Sequence, residues 1–213
     1  MVDYCIKHTK PRTDNLIKLL SIIPQAVVLG DGTHYDKVVN AYELPHGGEA
    51  WRVILEDDAV IPNDFQQRVV ELLSEVSTSV VINFYASYQN QKKYAEWAKD
   101  KPYGSFYKSQ YSGSVGVAYP TGLLPDIVKA FRAIRWQHTI RCDARIGTAL
   151  RKLNIPVYYT HPSLVDHSDM VSLITEKRDP KRRAVHYIGD YDRKIQWEFY
   201  ENIESSAETR QTG

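Results

Sequence analysis

The stretch WRVILEDDAVIPNDF, Trp51 to Phe65, passes from an apolar run into three consecutive carboxylates and then to a proline. Val53 to Leu55 read as a buried strand, because a short continuous apolar run bounded by turn formers suits a strand covered on both faces. Glu56, Asp57 and Asp58 stand at its end. Adjacent carboxylates repel one another, so a chain that keeps three of them beside a buried run either neutralises them with a cation or solvates them in a turn. Hard oxygen ligands of this kind suit magnesium or manganese, above all when substrate phosphates complete the shell. The plain alternative is a solvated acidic turn ahead of the next helix.

On either side of this segment strands and helices alternate. Upstream, Asp3 to His8 suit a first strand, Leu16, Leu19, Leu20 and Ile23 return at helical spacing, and Ala26 to Leu29 form a second short strand. The run from Gly30 to Ala50 holds several turn formers and a weak helical patch. Downstream, Asn63 and Gln66 have the spacing of a capping box, and Phe65, Val69, Leu72, Leu73 and Val76 form an apolar stripe of helical period. Val80 to Ala86 read as another buried strand, and some helix is expected from Tyr94 to Lys99. Helices are expected over Thr121 to Ile134 and Asp143 to Leu153, then a strand from Ile155 to Tyr159. Such alternation predicts an α/β sandwich with a mostly parallel central sheet, whose ligands gather at the carboxyl ends of the strands. The expected organisation is one domain over residues 1–203 and a frayed tail over 204–213.

Composition narrows the function. Across 213 residues, Lys and Arg total 27 against 26 for Asp and Glu, so no global field concentrates a polyanion. Two cysteines, Cys5 and Cys142, are too few for a disulfide framework or a thiolate zinc site. The first residues, MVDYCIKHTKPR, lack the apolar stretch and cleavage site of a secretory signal, and no apolar run approaches the ~20 residues of a membrane span. A cytoplasmic protein is expected. The stretch SGSVGVAYPTG carries Gly113, Gly116 and Gly122, which either let backbone approach a ligand closely or form a hairpin. Neither a Walker pattern nor a dinucleotide fingerprint is present.

WRVILEDDAVIPNDF resembles the metal-site segment of glycosyltransferases of the GT-A fold. It resembles in particular the family 25 enzymes of lipooligosaccharide assembly and the N-acetylglucosaminyltransferase I type. The likeness is close over about fifteen residues, and PSLVDHS extends it loosely. It implies a GT-A-like sandwich, with an acidic variant of the D-x-D motif holding Mn2+ or Mg2+ against the diphosphate of a nucleotide sugar. On that resemblance Asp58 is the direct metal ligand, and Glu56 and Asp57 sit near the nucleotide and sugar. His167 is similar to the late histidine that many such enzymes add to the metal, and a neutral imidazole is a competent ligand. The other reading of His167 is a packing residue, and His161 is the less favoured candidate.

Asp143 opens a helix and is either an ordinary N-cap or, by the same resemblance, the general base that takes the acceptor's proton. Inversion at the anomeric carbon is what the resembled families imply. Lys177, Arg178, Lys181, Arg182 and Arg183 make the one dense basic run. It is a solvated loop, a cover over the donor diphosphate through Arg182 and Arg183, or a track for a nucleic-acid backbone. The expected activity is sugar transfer from a nucleotide diphosphate sugar to a hydroxyl acceptor on a glycan. The alternatives are transfer to hydroxymethylated bases of phage DNA, and a nucleotide-sugar binding module without turnover.

Overall fold

The structure is a computed structural model that describes residues 1–87, 91–135, 141–168, 182–190 and 195–199. The tail at 204–213 and the basic residues Lys177, Arg178 and Lys181 lie outside the described residues.

A seven-stranded sheet organises the chain. Its strands are β1 (Val2–Lys7), β2 (Val27–Leu29), β3 (Trp51–Glu56), β5 (Val81–Asn83), β6 (Ser105–Ser109), β7 (Gly116–Pro120) and β8 (Val157–His161), in the order β2-β1-β3-β7-β5-β8-β6. Strands β1, β2, β3, β5 and β8 run one way, while β7 and β6 oppose their neighbours. A small second ladder joins β4 (Ala59–Val60) to β9 (Asp166–His167), pairing Ala59 with His167. The helices are α1 (Thr13–Ile22), α2 (His34–Glu43), α3 (Phe65–Ser74), α4 (Lys92–Ala98), α5 (Leu124–Ala133) and α6 (Cys142–Lys152). The α/β sandwich and mostly parallel sheet expected from the sequence are what the chain forms.

Side-chain alternation splits the core in two. Tyr4, Ile6, Val53 and Leu55 face one side of the sheet, where Leu16 and Leu19 of α1 and Phe65, Val69 and Leu72 of α3 cover them. Cys5, Ile54, Val81 and Val117 face the other, under residues of α2, α4, α5 and α6. Arg52 is fully buried in β3, an unusual place for a guanidinium. Its donors are spent on the Asp3 carboxylate at 2.6 Å and on the carbonyls of Ala41 and Leu44 at 3.1 and 2.7 Å. That clamp ties β1 and β3 to the carboxyl end of α2, where helix carbonyls lack partners of their own.

Local chemistry differs from the sequence reading in several places. The capping box expected at Asn63 and Gln66 does not form: α3 begins after Asp64, and Gln66 instead donates to the Ile22 carbonyl at 2.6 Å. A capping box forms in the turn-rich region instead, where Asp36 N donates to Thr33 Oγ1 and Thr33 N to Asp36 Oδ2. It starts α2, a full helix where only a weak patch was legible. The Thr121 helix opens with a 3-10 turn over Thr121–Leu123 before α5.

The glycine stretch is neither a hairpin nor an open loop throughout, since its second half is β7, a central strand between β3 and β5. A Cβ at Gly116 would lie 2.6 Å from a Val165 methyl, so packing demands glycine there.

Candidate functional site at the carboxyl edge of the sheet

Parallel register sets Lys7, the last residue of β1, beside Glu56, the last of β3. Lys7 Nζ donates to Glu56 Oε1 at 3.1 Å, and Ser114 Oγ, just ahead of β7, donates to the same oxygen at 2.5 Å. Burial works against ionisation of Glu56, yet Lys7, His34 and the Ser114 hydroxyl outweigh it and hold the carboxyl at about 2, below the ordinary 4.5. Glu56 is therefore a fixed anion and hydrogen-bond acceptor.

Asp57, 2% exposed, is consumed by the connection from β1 to α1. It accepts from Thr9 N and from Arg12 Nη1 at 3.0 Å, and His8 Nδ1 lies 3.3 Å from its Oδ2. Asn15 reinforces the turn by donating Nδ2 to the carbonyls of Asp57 and Ala59 at 2.5 and 3.0 Å.

Asp58 is as deeply buried but keeps capacity in reserve. Arg12 Nη1 donates to its Oδ2 at 2.5 Å, and His167 Nε2 lies 3.1 Å from the same oxygen, while Oδ1 is buried without a partner. The small ladder brings His167 there, and Ser168 N donates to the Asp58 carbonyl at 2.8 Å. His167 Nδ1 lies 2.7 Å from the Ser168 carbonyl oxygen, which can only accept. In the neutral ring Nδ1 then carries the proton and Nε2 presents a lone pair, without a hydrogen bond of its own.

The structure thus gathers Glu56, Asp57, Asp58 and His167 at one edge. Among the described residues no cluster of three or more His, Cys, Asp or Glu side chains is arranged to hold a metal. Asp58 and His167 are the pair that could share a cation completed by ligand oxygens. Ligand atoms at ~2.1 Å from an octahedral ion and at right angles to one another stand ~3 Å apart. Their 3.1 Å separation fits that arrangement, and the unspent Oδ1 adds capacity.

Asp143 sits in the first turn of α6, one residue inside the helix, whose N-cap is Arg141. It is therefore not the N-cap. Its Oδ1 accepts from the adjacent Ala144 N at 2.8 Å, and Arg141 Nη2 lies 3.4 Å from its Oδ2. Its side chain is partly open, at 19%. The charges of Lys7, Glu56 and Asp143 are all felt at His34 and at Cys142, so Asp143 and Glu56 act on the same two groups. At His34 desolvation comes first and Lys7 next in lowering the imidazole, against Glu56 and Asp143, which raise it.

Arg183 is engaged on Asp166, which accepts from its Nε at 2.5 Å and also from Ala184 N at 2.6 Å. The Arg182 carbonyl accepts from the Tyr85 hydroxyl. The described end of the basic run is thereby pinned beside β9 and His167. His161 lies elsewhere: it is 1% exposed among Tyr94, Trp97, Tyr103 and His186.

Sequence reasoning missed Lys7, Arg12 and Ser114. For Lys7 and Arg12 a signal existed in KHTKPR, a basic cluster leaving the strand that precedes the acidic one, since neighbouring parallel strands deliver their carboxyl ends to the same edge. Ser114 carries no such signal.

No protein-family description and no curated protein matches the chain. Among solved structures it is similar to A197 from STIV, at 14% identity and a TM-score of 0.47, over 94% of this chain and 98% of that one. Among the described residues no helix is long and apolar enough to cross a membrane.

Proposed function

We propose that the chain is a GT-A-type glycosyltransferase that moves a sugar from a nucleotide diphosphate donor to a hydroxyl acceptor, with Mn2+ or Mg2+. The observation that carries this reading is the acidic turn after β3, where Asp58 keeps one buried, unpartnered oxygen, Oδ1, while His167 Nε2 lies 3.1 Å from the other, Oδ2. A protein that merely solvated an acidic turn would not bury Asp58 Oδ1 unpaired, because that costs desolvation with no return.

Asp58 and His167 would hold the ion, which when bound supplies positive charge against the leaving diphosphate. Glu56, kept ionised by Lys7 and Ser114, would accept hydrogen bonds from hydroxyls of the donor. Asp57 holds the β1–α1 connection in place, so its contribution is to position Arg12. Asp143, open enough to meet solvent and acting on the same groups as Glu56, would take the proton from the attacking hydroxyl. Arg182 and Arg183 would bring positive charge close to the diphosphate, with Asp166 orienting Arg183.

A thermal-shift screen of nucleotide sugars, with and without manganese, tests the reading, since a ligand that binds only the native state raises its melting temperature. The expected result is a shift that needs sugar nucleotide and metal together, followed by slow metal-dependent donor hydrolysis. A donor shift without any hydrolysis would instead identify a binding module.

A further inference from the structure

Arg12 lies where an ion at Asp58 would have to compete. Its Nη1 is shared between Asp57 Oδ1 at 3.0 Å and Asp58 Oδ2 at 2.5 Å, and Asp58 Oδ2 is the oxygen that faces His167 Nε2. The side chain is 7% exposed, and its Nε is buried with no partner. We infer that Arg12 is a built-in counter-ion that keeps a divalent cation off Asp58 until a diphosphate draws the guanidinium away, so that metal and donor bind as a linked pair. The inference rests on the metal-dependent reading above.

The argument is one of charge and of ligand count. Two buried carboxylates need a cation at all times, because an unpaired buried charge is strongly destabilising. A free metal ion would gain only Asp58 and His167 from the protein, and to do so it must displace a guanidinium from one of the two buried carboxylates it bridges, leaving it on Asp57 alone. A diphosphate changes both sides of that exchange. Its oxygens complete the ion's shell, and they offer the planar guanidinium the fork-shaped acceptor geometry that arginine favours. The unpartnered Nε is a donor already available for that purpose. Binding of either ligand then strengthens the other by the same factor.

The test measures manganese affinity by titration calorimetry or by the paramagnetic resonance of free Mn2+, using manganese alone and manganese with inorganic pyrophosphate. The wild-type chain is expected to bind manganese weakly alone and at least tenfold more tightly with pyrophosphate. Arg12→Gln is expected to bind manganese alone at least tenfold more tightly than wild type, with most of the pyrophosphate enhancement lost. Arg12→Lys keeps the charge on a shorter side chain and lacks the planar fork that a diphosphate would engage, so it should fall between the two, and it stands in if Arg12→Gln does not fold. Tight wild-type binding that neither substitution improves would overturn the competition and leave the metal site standing. Absence of manganese binding in every variant, with and without pyrophosphate, would overturn the metal reading and the competition with it.

Discussion

Asp58 Oδ2 and His167 Nε2 stand 3.1 Å apart across the small ladder between β4 and β9, and the second oxygen of Asp58 is buried with nothing to bind. Two lone-pair atoms held that close repel unless a cation or proton lies between them. The backbone enforces the approach, through the pairing of Ala59 with His167 and the bond from Ser168 N to the Asp58 carbonyl. The fold therefore holds the imidazole against a buried carboxylate oxygen that already accepts from Arg12.

Asp58→Asn removes the charge and retains the shape. Manganese-dependent donor turnover should fall by more than about 100-fold, since loss of a direct ligand exceeds the ~10–100-fold cost of losing an outer-shell partner. Asp57 still meets Arg12, so the melting temperature should move little. A manganese titration of donor hydrolysis reads the effect, and wild-type turnover in this variant would remove Asp58 from the metal site.

Asp143→Asn separates catalysis from helix stability. As a general base, Asp143 should cost ~100 to 10,000-fold in transfer when lost, with donor affinity unchanged. As an acid in the first turn of α6 it contributes only ~0.3–1 kcal/mol through the helix dipole. Transfer to an acceptor and calorimetric donor affinity, measured together, distinguish the two. A variant that melts slightly lower and transfers sugar at the normal rate would make Asp143 a helix-terminus residue alone.

Much of this arrangement was legible in the residues, and what was not has physical causes. The alternation of strands and helices follows from hydrophobic period, and the site's edge follows from where parallel strands end. The proximity of His167 to Asp58 was expected only through resemblance, because no local pattern encodes the pairing of a two-residue strand with one over a hundred residues away. Helix α2 was underread because turn formers surround it and its start depends on a Thr33–Asp36 exchange. Strand β7 was misread because its one glycine, Gly116, answers to Val165, a residue remote in sequence. Arg12 was missed since basic residues after a strand are usually solvated, and only the fold folds this one back onto two carboxylates.

Glu56→Gln has a pH signature. The native carboxyl is held at about 2 against an ordinary 4.5, so the native state binds fewer protons than the unfolded chain between those values. The stability Glu56 contributes is thus fully present above pH ~4.5 and is lost as pH falls toward 2. Denaturant melts of wild type and Glu56→Gln should converge as pH drops through that window. Parallel curves would show that Lys7 and Ser114 do not stabilise the ionised form.

His161 acts in a different window, and through burial instead of an ion pair. Tyr94 has one hydroxyl proton, which it donates to the Thr160 carbonyl at 2.9 Å, so at its 3.2 Å contact with His161 the ring Nδ1 must be the donor. Nε2 then carries the ring's lone pair, buried among aromatic rings. Desolvation, and then the neighbouring His186, push the imidazole down to about 4 from 6.5. Between those values the unfolded chain takes up a proton that the native state refuses, so stability is complete above pH ~6.5 and declines as pH falls toward 4. His161→Phe keeps a ring in the cluster and removes the titrating group. The variant should lose the decline between pH 6.5 and 4 while leaving the separate loss below 4.5 that Glu56 produces. Unchanged pH dependence in His161→Phe would mean that the ring gains a compensating partner when protonated.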